Sequence, residues 1–320
     1  MQGAQPFQIK HEAILNRGVK DFSLVLKQVF RDDRDMSLHG IHASLVTPFT
    51  RSGAVDAASL ERLAVHCLEN GVDGLVALGT TGEAALLAPD EERTVLEVCR
   101  AVSDRSGTPL IVGAGTMGTE DSIRQARERA DFADALLVVV PYYLRPSDEA
   151  VVGHFAAVGA AVDVPLVPYN IPYRTGKQLS AETLLEILAL DCVAGMKHCA
   201  GGIDADTLAL LAANPGKAVL CGDDAYIYPM LRLGAAGGVA ACACLAPSAY
   251  ASMLGGTADA LATHNKLLPM VEALFSEPAP AVLKACLAEL GLIDDPAVRA
   301  PLRAPRPESV AAAVTAFQAL

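Results

Sequence analysis

Residues 135–146 read ALLVVVPYYLRP, six consecutive apolar side chains that run into a proline-bounded polar loop. A half-exposed strand alternates polar with apolar, whereas a strand buried on both faces does not. Ala135–Val140 therefore reads as a buried parallel strand, and Pro141-Tyr142-Tyr143-Leu144-Arg145-Pro146 as the loop at its C-terminal end. A helical pattern precedes it over Thr119–Ala130, opened by Thr119-Glu120-Asp121.

The same rhythm repeats on both sides. Short apolar runs lie at Ile41–Val46, Gly74–Leu78, Leu110–Gly113, Ala135–Val140, Leu166–Tyr169, Val193–Lys197, Ala218–Cys221 and Gly238–Cys242. Helical segments separate them, among them Ala58–Glu69, Asp90–Ser103 and Ala181–Leu190, with start signals at Pro89-Asp90-Glu91-Glu92 and at Ser180 with Thr183. Strands alternating with helices mean α/β, and a count of eight favours a closed (β/α)8 TIM barrel over an open sheet. Additional C-terminal helices are expected at roughly 246–275, 279–290 and 306–319, with loops at Asp294-Asp295-Pro296 and Pro301–Pro307. The expected organisation is an N-terminal extension over 1–37, the barrel over 38–245, and a C-terminal helical region over 246–320 packed on it. Met36 leads straight into the first strand, so residues 1–35 read as an upstream extension or an early start. Phe22–Phe30 has the pattern of a short amphipathic helix.

Composition fits this plan. The chain has 320 residues, 52% of them hydrophobic, yet aromatics are 5% and Trp is absent. A core of Ala, Val, Leu and Ile suits the layered interior of a barrel. A net charge of −12 argues against nucleic acid as a partner, which needs a basic footprint. No apolar run reaches membrane-spanning length unbroken, and the N-terminus lacks a signal-peptide plan, so no membrane association and a cytoplasmic setting are expected. None of the eight cysteines forms a CxxC pair, so neither zinc nor any other metal is expected. The thiols are expected reduced, with Cys242 and Cys244 alternating as small hydrophobes on a buried strand. His42 and His66 are isolated. No Walker loop, GxGxxG or HExxH occurs, and no cofactor is called for.

Barrel enzymes carry their chemistry at the C-terminal ends of the strands. The second strand ends in Gly79-Thr80-Thr81-Gly82-Glu83, where hydroxyls and backbone N–H groups make a carboxylate cradle. The fifth ends in Tyr169-Asn170-Ile171-Pro172-Tyr173-Arg174-Thr175-Gly176, and the sixth in Gly195-Met196-Lys197-His198. Lys197 is the odd residue, a lysine closing an apolar run. Burial disfavours an ammonium, and a free amine attacks a ketone. Read alone, Lys197 is equally a snorkelling lysine at a strand end. Tyr169, Arg174 and two threonines at neighbouring strand ends favour catalysis. Asp223-Asp224 after Gly222 reads as a carboxylate pair serving as a helix N-cap.

With these residues in view, the sequence resembles the dihydrodipicolinate synthase / N-acetylneuraminate lyase family of class I pyruvate-dependent aldolases. The resemblance runs from about residue 40 to the C-terminus. It rests on the GTTGE turn (79–83), PYYxRP (141–146), YNxPxRTG (169–176) and the lysine ending GxK (195–197). Glu277-Pro278-Ala279-Pro280 and Lys284-Ala285-Cys286 add to it. It implies that Lys197 forms an imine with pyruvate and that Tyr169 shuttles protons. Thr80 and Thr81 bind the pyruvate carboxylate, and Thr81 relays protons to Tyr169. Tyr143 reaches across a dimer interface to complete the relay. Arg174 holds the carboxylate of an aldehyde partner, and Val239 lies where the eighth strand offers a backbone carbonyl.

Arg174 in Arg-Thr-Gly is similar to the branch that condenses pyruvate with L-aspartate 4-semialdehyde. The alternatives are a retro-aldol on a 2-keto-3-deoxy sugar acid or 4-hydroxy-2-oxoglutarate, and a non-catalytic barrel that binds a 2-oxo acid. Departures are Tyr173 before the arginine, His198 and Cys199 after the lysine, Ala200-Gly201-Gly202, and Cys244. The apolar stretch Ala84–Pro89 implies that lysine does not inhibit. The resemblance also implies a homodimer or homotetramer.

Overall fold

A computed structural model describes residues 38–213 and 215–320. The sequence-based expectations for residues 1–37, including a helix at Phe22–Phe30, lie outside the described residues. Leu38–Leu320 form one compact unit.

Its centre is a closed barrel of eight parallel strands in sequence order. The chain runs β1 (Gly40–Ser44), α1 (Ala57–Glu69), β2 (Gly74–Ala77), α2 (Pro89–Ser106), β3 (Leu110–Gly113), α3 (Thr119–Arg129), β4 (Ala135–Val139), α4 (Asp148–Gly159). It continues β5 (Leu166–Asn170), α5 (Ala181–Ala189), β6 (Gly195–His198), α6 (Ala205–Ala212), β7 (Ala218–Cys221), α7 (Ile227–Arg232), β8 (Gly237–Ala240), α8 (Pro247–Ser252). Three helices follow, α9 (Ala258–Leu274), α10 (Ala281–Glu289) and α11 (Pro307–Gln318). The expected barrel with additional C-terminal helices is therefore present.

The helices begin where the sequence supplies oxygen acceptors for otherwise unpaired N–H groups. Asp56 accepts from Ser59 N, Ser180 from Thr183 N and Asp204 from Thr207 N. At α2 the Glu91 carboxylate reaches back to Ala88 N at 2.9 Å, and Pro89 starts the helix. The strands are buried on both faces because the helices cover the outside and Leu, Val and Ile fill the inside.

Several strand boundaries differ from expectation by one or two residues; β1, for instance, ends at Ser44 rather than Val46. β6 starts at Gly195, since Val193 makes only an isolated bridge to Leu166. β8 stops at Ala240, because Ala241 takes helical dihedrals, so Cys242–Cys244 form a 3₁₀ turn rather than an alternating strand. Both cysteines are nonetheless buried, and all eight are free. The stretch 246–275 is two helices, interrupted around Met253–Gly256. Among the described residues no helix is long and apolar enough to cross a membrane, and no cluster of His, Cys, Asp and Glu could hold a metal ion.

Candidate active site

β5 and β6 are paired so that Tyr169 and Lys197 are direct cross-strand partners. Partners in register point to the same face, so both side chains rise into the barrel mouth. The Lys197 Nζ lies 4.3 Å from the centre of the Tyr169 ring, and Lys197 is only 7% exposed. Room for it comes from Gly222, just past β7. A Cβ there would stand 2.5 Å from Lys197 Cε, so any larger residue would displace the lysine.

These two residues form the floor of a cavity of about 470 Å³. Thr80 and Thr81, from the 3₁₀ turn after β2, lie on one side, and Ser44 Oγ at the end of β1 donates to Thr81 Oγ1 at 3.2 Å. Val239 of β8 closes another side. Arg174 stands at the rim in a single helical turn, Pro172–Thr175, and makes no ion pair among the described residues. Lys197, Tyr169, Thr80, Thr81, Arg174 and Val239 thus share one cavity.

Tyr143 does not line it. The residue is 81% exposed, on a loop with left-handed backbone at Tyr143 (φ 67°) and Arg145 (φ 48°), tied by Tyr143 N to Thr175 O at 3.3 Å.

Asp223 stands at the expected N-cap position, of the 3₁₀ turn Asp224–Tyr226, but its side chain makes no capping bond there. Asp224 is buried and accepts from Cys242 N at 2.7 Å. Burial raises its pKa, against the pull of that hydrogen bond and of Lys197. Asp223 reaches across the mouth, taking the Tyr173 hydroxyl at 3.0 Å and Gly201 N at 2.8 Å. Spacing along the chain could not reveal this, because the partners sit on three different loops.

Burial pushes the Tyr169 phenol well above its ordinary pKa, so it stays a proton carrier rather than a phenolate. The Cys199 thiol, 3.9 Å from the Tyr169 hydroxyl, is pushed up to about 12 by burial, with Lys197 opposing. His198 faces away from this chemistry. Its Nδ1 pairs with Asn170 Nδ2 at 3.2 Å and its Nε2 with Thr207 Oγ1 at 2.9 Å. Thr207 gives its own proton to Asp204, so the His198 Nε2 is the donor and the ring is a neutral β5–α6 tie. Burial lowers its pKa accordingly.

Beneath the threonine turn, Glu83 and Lys284 form an ion pair with both side chains withdrawn from solvent. Sequence reasoning missed it. The available signal was a lysine inside the otherwise apolar run Ala281–Ala288.

A lysine and tyrosine in register on adjacent strands, sharing a cavity with a hydroxyl turn and the Arg174 guanidinium, agree with the sequence match. The profile of the Dihydrodipicolinate synthetase family matches residues 37–318. The chain belongs to the dihydrodipicolinate synthetase family.

Among its relatives in this family, 4-hydroxy-tetrahydrodipicolinate synthase of Syntrophus aciditrophicus is 36% identical over 269 residues, 82% of this chain and 91% of the relative. The enzyme of that name from Moorella thermoacetica is 38% identical over the same shares. The structure of the chloride-inhibited dihydrodipicolinate synthase of Acinetobacter baumannii, complexed with pyruvate, aligns with a TM-score of 0.83 at 33% identity. It covers 88% of this chain and 99% of that one. As a dihydrodipicolinate synthetase family member the chain is a pyruvate-dependent lyase, and the cavity at the C-terminal ends of its strands is where a barrel enzyme works.

Proposed function

We propose that the chain is a 4-hydroxy-tetrahydrodipicolinate synthase that condenses pyruvate with L-aspartate 4-semialdehyde through an imine on Lys197. The observation that carries this reading is the in-register Tyr169–Lys197 pair at the cavity floor, with Arg174 at its rim.

The Lys197 amine adds to C2 of pyruvate and water leaves, giving the imine. The imine withdraws electrons, so C3 loses a proton and becomes an enamine nucleophile. C3 then bonds to the aldehyde carbon, whose oxygen takes a proton and becomes the 4-hydroxyl. The α-amino group of the incoming molecule attacks the imine carbon and displaces Lys197, closing the ring and freeing the lysine.

Each proton movement has a carrier within the cavity. Tyr169 stays protonated and sits beside the Lys197 amine, which suits it to deliver a proton to the leaving hydroxyl and retrieve one later. Thr81, already paired with Ser44, relays protons to Tyr169 and, with Thr80, holds the pyruvate carboxylate. Arg174 takes the carboxylate of the aldehyde through two parallel hydrogen bonds, the geometry its fork favours. Val239 contributes its carbonyl. No metal or organic cofactor enters this scheme, because the amine itself makes the electron sink.

Tyr143 acts in a neighbouring subunit. Its exposure on a loop outside its own cavity supports a homodimer at least, and a homotetramer of two such dimers completes the reading. The setting is the cytoplasm. The domain reading is a barrel over 38–245 and a helical region over 246–320.

Borohydride reduction in the presence of pyruvate, followed by intact-mass and peptide mapping, tests the imine. The expected result is one pyruvate-sized adduct on Lys197. Absence of the adduct in folded protein that turns nothing over would favour a mere binding barrel. Turnover with L-aspartate 4-semialdehyde, compared with retro-aldol release of pyruvate from sugar acids, decides the substrate.

A further inference from the structure

The Tyr173 ring stands at the mouth of the cavity, one residue before Arg174, and is 58% exposed. An exposed aromatic at a mouth is ordinarily free to swing. This one is not. Its hydroxyl donates to Asp223 Oδ1 at 3.0 Å, across to the loop after β7. The other carboxylate oxygen, Oδ2, accepts from Gly201 N at 2.8 Å, on the loop after β6. Gly201 has φ +80°, a backbone that L side chains rarely adopt, and a Cβ there would touch the Tyr173 ring at 3.4 Å. The ring is thus pinned at its far end by a charged acceptor and supported along its edge by bare backbone.

The pin ties three successive strand-end loops together, and its Tyr173 and Asp223 line the same cavity as Lys197 and Tyr169. The Tyr173 side chain then occupies space that a longer substrate would need. From α9 and the residue after it, Leu268, Val271, Glu272 and Phe275 also line the cavity. An aldehyde whose carboxylate rests on Arg174 must reach Lys197 between these two boundaries. Extra carbons are pressed against the α9 side chains, and on the other side they meet a ring that can yield only by giving up its bond to Asp223.

We propose that Tyr173, latched by Asp223, is the specificity-determining residue that sets acceptor length, admitting four-carbon carboxylated aldehydes and rejecting longer ones. This rests on the function proposed above, since it takes Arg174 and Lys197 as the two ends of the acceptor site.

The test uses pyruvate with a ladder of ω-oxo acids, succinate, glutarate and adipate semialdehydes, which differ from one another only in the distance between aldehyde and carboxylate; none has an α-amino group, so water hydrolyses the product imine and frees Lys197. kcat/KM is measured for wild type, Tyr173→Phe and Tyr173→Ser, alongside the borohydride adduct with pyruvate and the thermal midpoint. Hydrogen bonds to charged groups set the scale, so wild type is expected to prefer the four-carbon acid over the six-carbon acid by about tenfold to a hundredfold. Tyr173→Ser should bring that ratio towards unity with the pyruvate adduct intact. Tyr173→Phe, which keeps the ring and loses the latch, should fall between. A ratio unchanged in Tyr173→Ser, or a flat ladder in wild type that still forms the adduct, overturns the length gate and leaves the imine chemistry standing. Loss of the ratio together with the adduct also overturns it, because Tyr173 would then be holding the site together rather than selecting. Wild type that forms no pyruvate adduct removes the function, and the gate with it.

Discussion

The Lys284 ammonium lies 2.8 Å from Glu83 Oε1, in a space that neither side chain shares with solvent. Lys284 also donates to Thr47 O at 2.8 Å and sits 4.0 Å from the centre of the Phe49 ring. The second oxygen of Glu83 accepts from Arg299 N at 2.8 Å. Glu83 directly follows the Thr80–Gly82 turn and has left-handed backbone itself (φ 53°). The C-terminal region is therefore bolted to the turn that carries the hydroxyls of the site. Burial pulls the Lys284 pKa down and Glu83 pulls it back up, so the amine depends on its partner to remain charged.

Removing one member of such a pair leaves the other charge buried and uncompensated, which costs about 3–5 kcal/mol. Lys284→Met is expected to lower unfolding stability by that order in urea titrations. The double variant Lys284→Met/Glu83→Gln should recover part of the loss, because no bare charge remains. Both should raise KM for pyruvate as the threonine turn loosens. A single variant as stable as wild type would show that the pair contributes nothing.

Tyr169→Phe separates imine formation from proton transfer. The ring still packs beside Lys197, but the hydroxyl is gone. General acid–base groups contribute about 10²–10⁴-fold, so kcat should fall within that range. The borohydride adduct should still form on prolonged incubation with pyruvate. An unchanged kcat would assign the proton work elsewhere, with Thr81 next in line.

Arg174→Ala probes the other end of the site. Losing a charge-assisted hydrogen-bond pair should lower kcat/KM for the aldehyde by about tenfold to a hundredfold. The pyruvate adduct and the KM for pyruvate should stay as in wild type, because the guanidinium stands at the rim and not at the floor. Parallel losses for both substrates would mean that Arg174 supports the cavity as a whole.

The parts legible in the sequence share one physical property, namely that the signal is local. Ala135–Val140 is apolar on both faces, and its neighbours repeat the pattern, so a parallel barrel could be read without knowing any contact. Lys197 was legible because a charge at the end of an apolar run is locally anomalous. Strand ends were less so. Ala241 is as apolar as Ala240, and only its dihedrals mark the turn that carries Cys242 and Cys244. What could not be read is pairing between loops. Tyr173 and Asp223 are 50 positions apart, and Glu83 and Lys284 are 201 apart. Each looks ordinary until the barrel closes and brings its partner near.

His42 gives the protein a built-in acid sensitivity. It lies on β1 between Gly74 of β2 and Val239 of β8 and is wholly enclosed. Burial drives its pKa from 6.5 down to about 4, against the raising influence of Asp73. Above pH 6.5 the imidazole is neutral in both the folded and the unfolded chain, and the full stability is present. As the pH falls from 6.5 towards 4, the unfolded chain takes up a proton that the folded protein refuses, so stability drops with each step. Below about 4 both states are charged and this contribution flattens. A shift of that size corresponds to about 3 kcal/mol lost across the window. His154, also lowered to about 4 by burial, acts in the same direction. The check is urea unfolding at intervals from pH 7.5 to 4 for wild type and His42→Gln, which cannot take up the proton. The variant should show a shallower decline between 6.5 and 4, by up to one proton in slope. Parallel curves would mean that His42 is protonated in the folded barrel as readily as in the open chain.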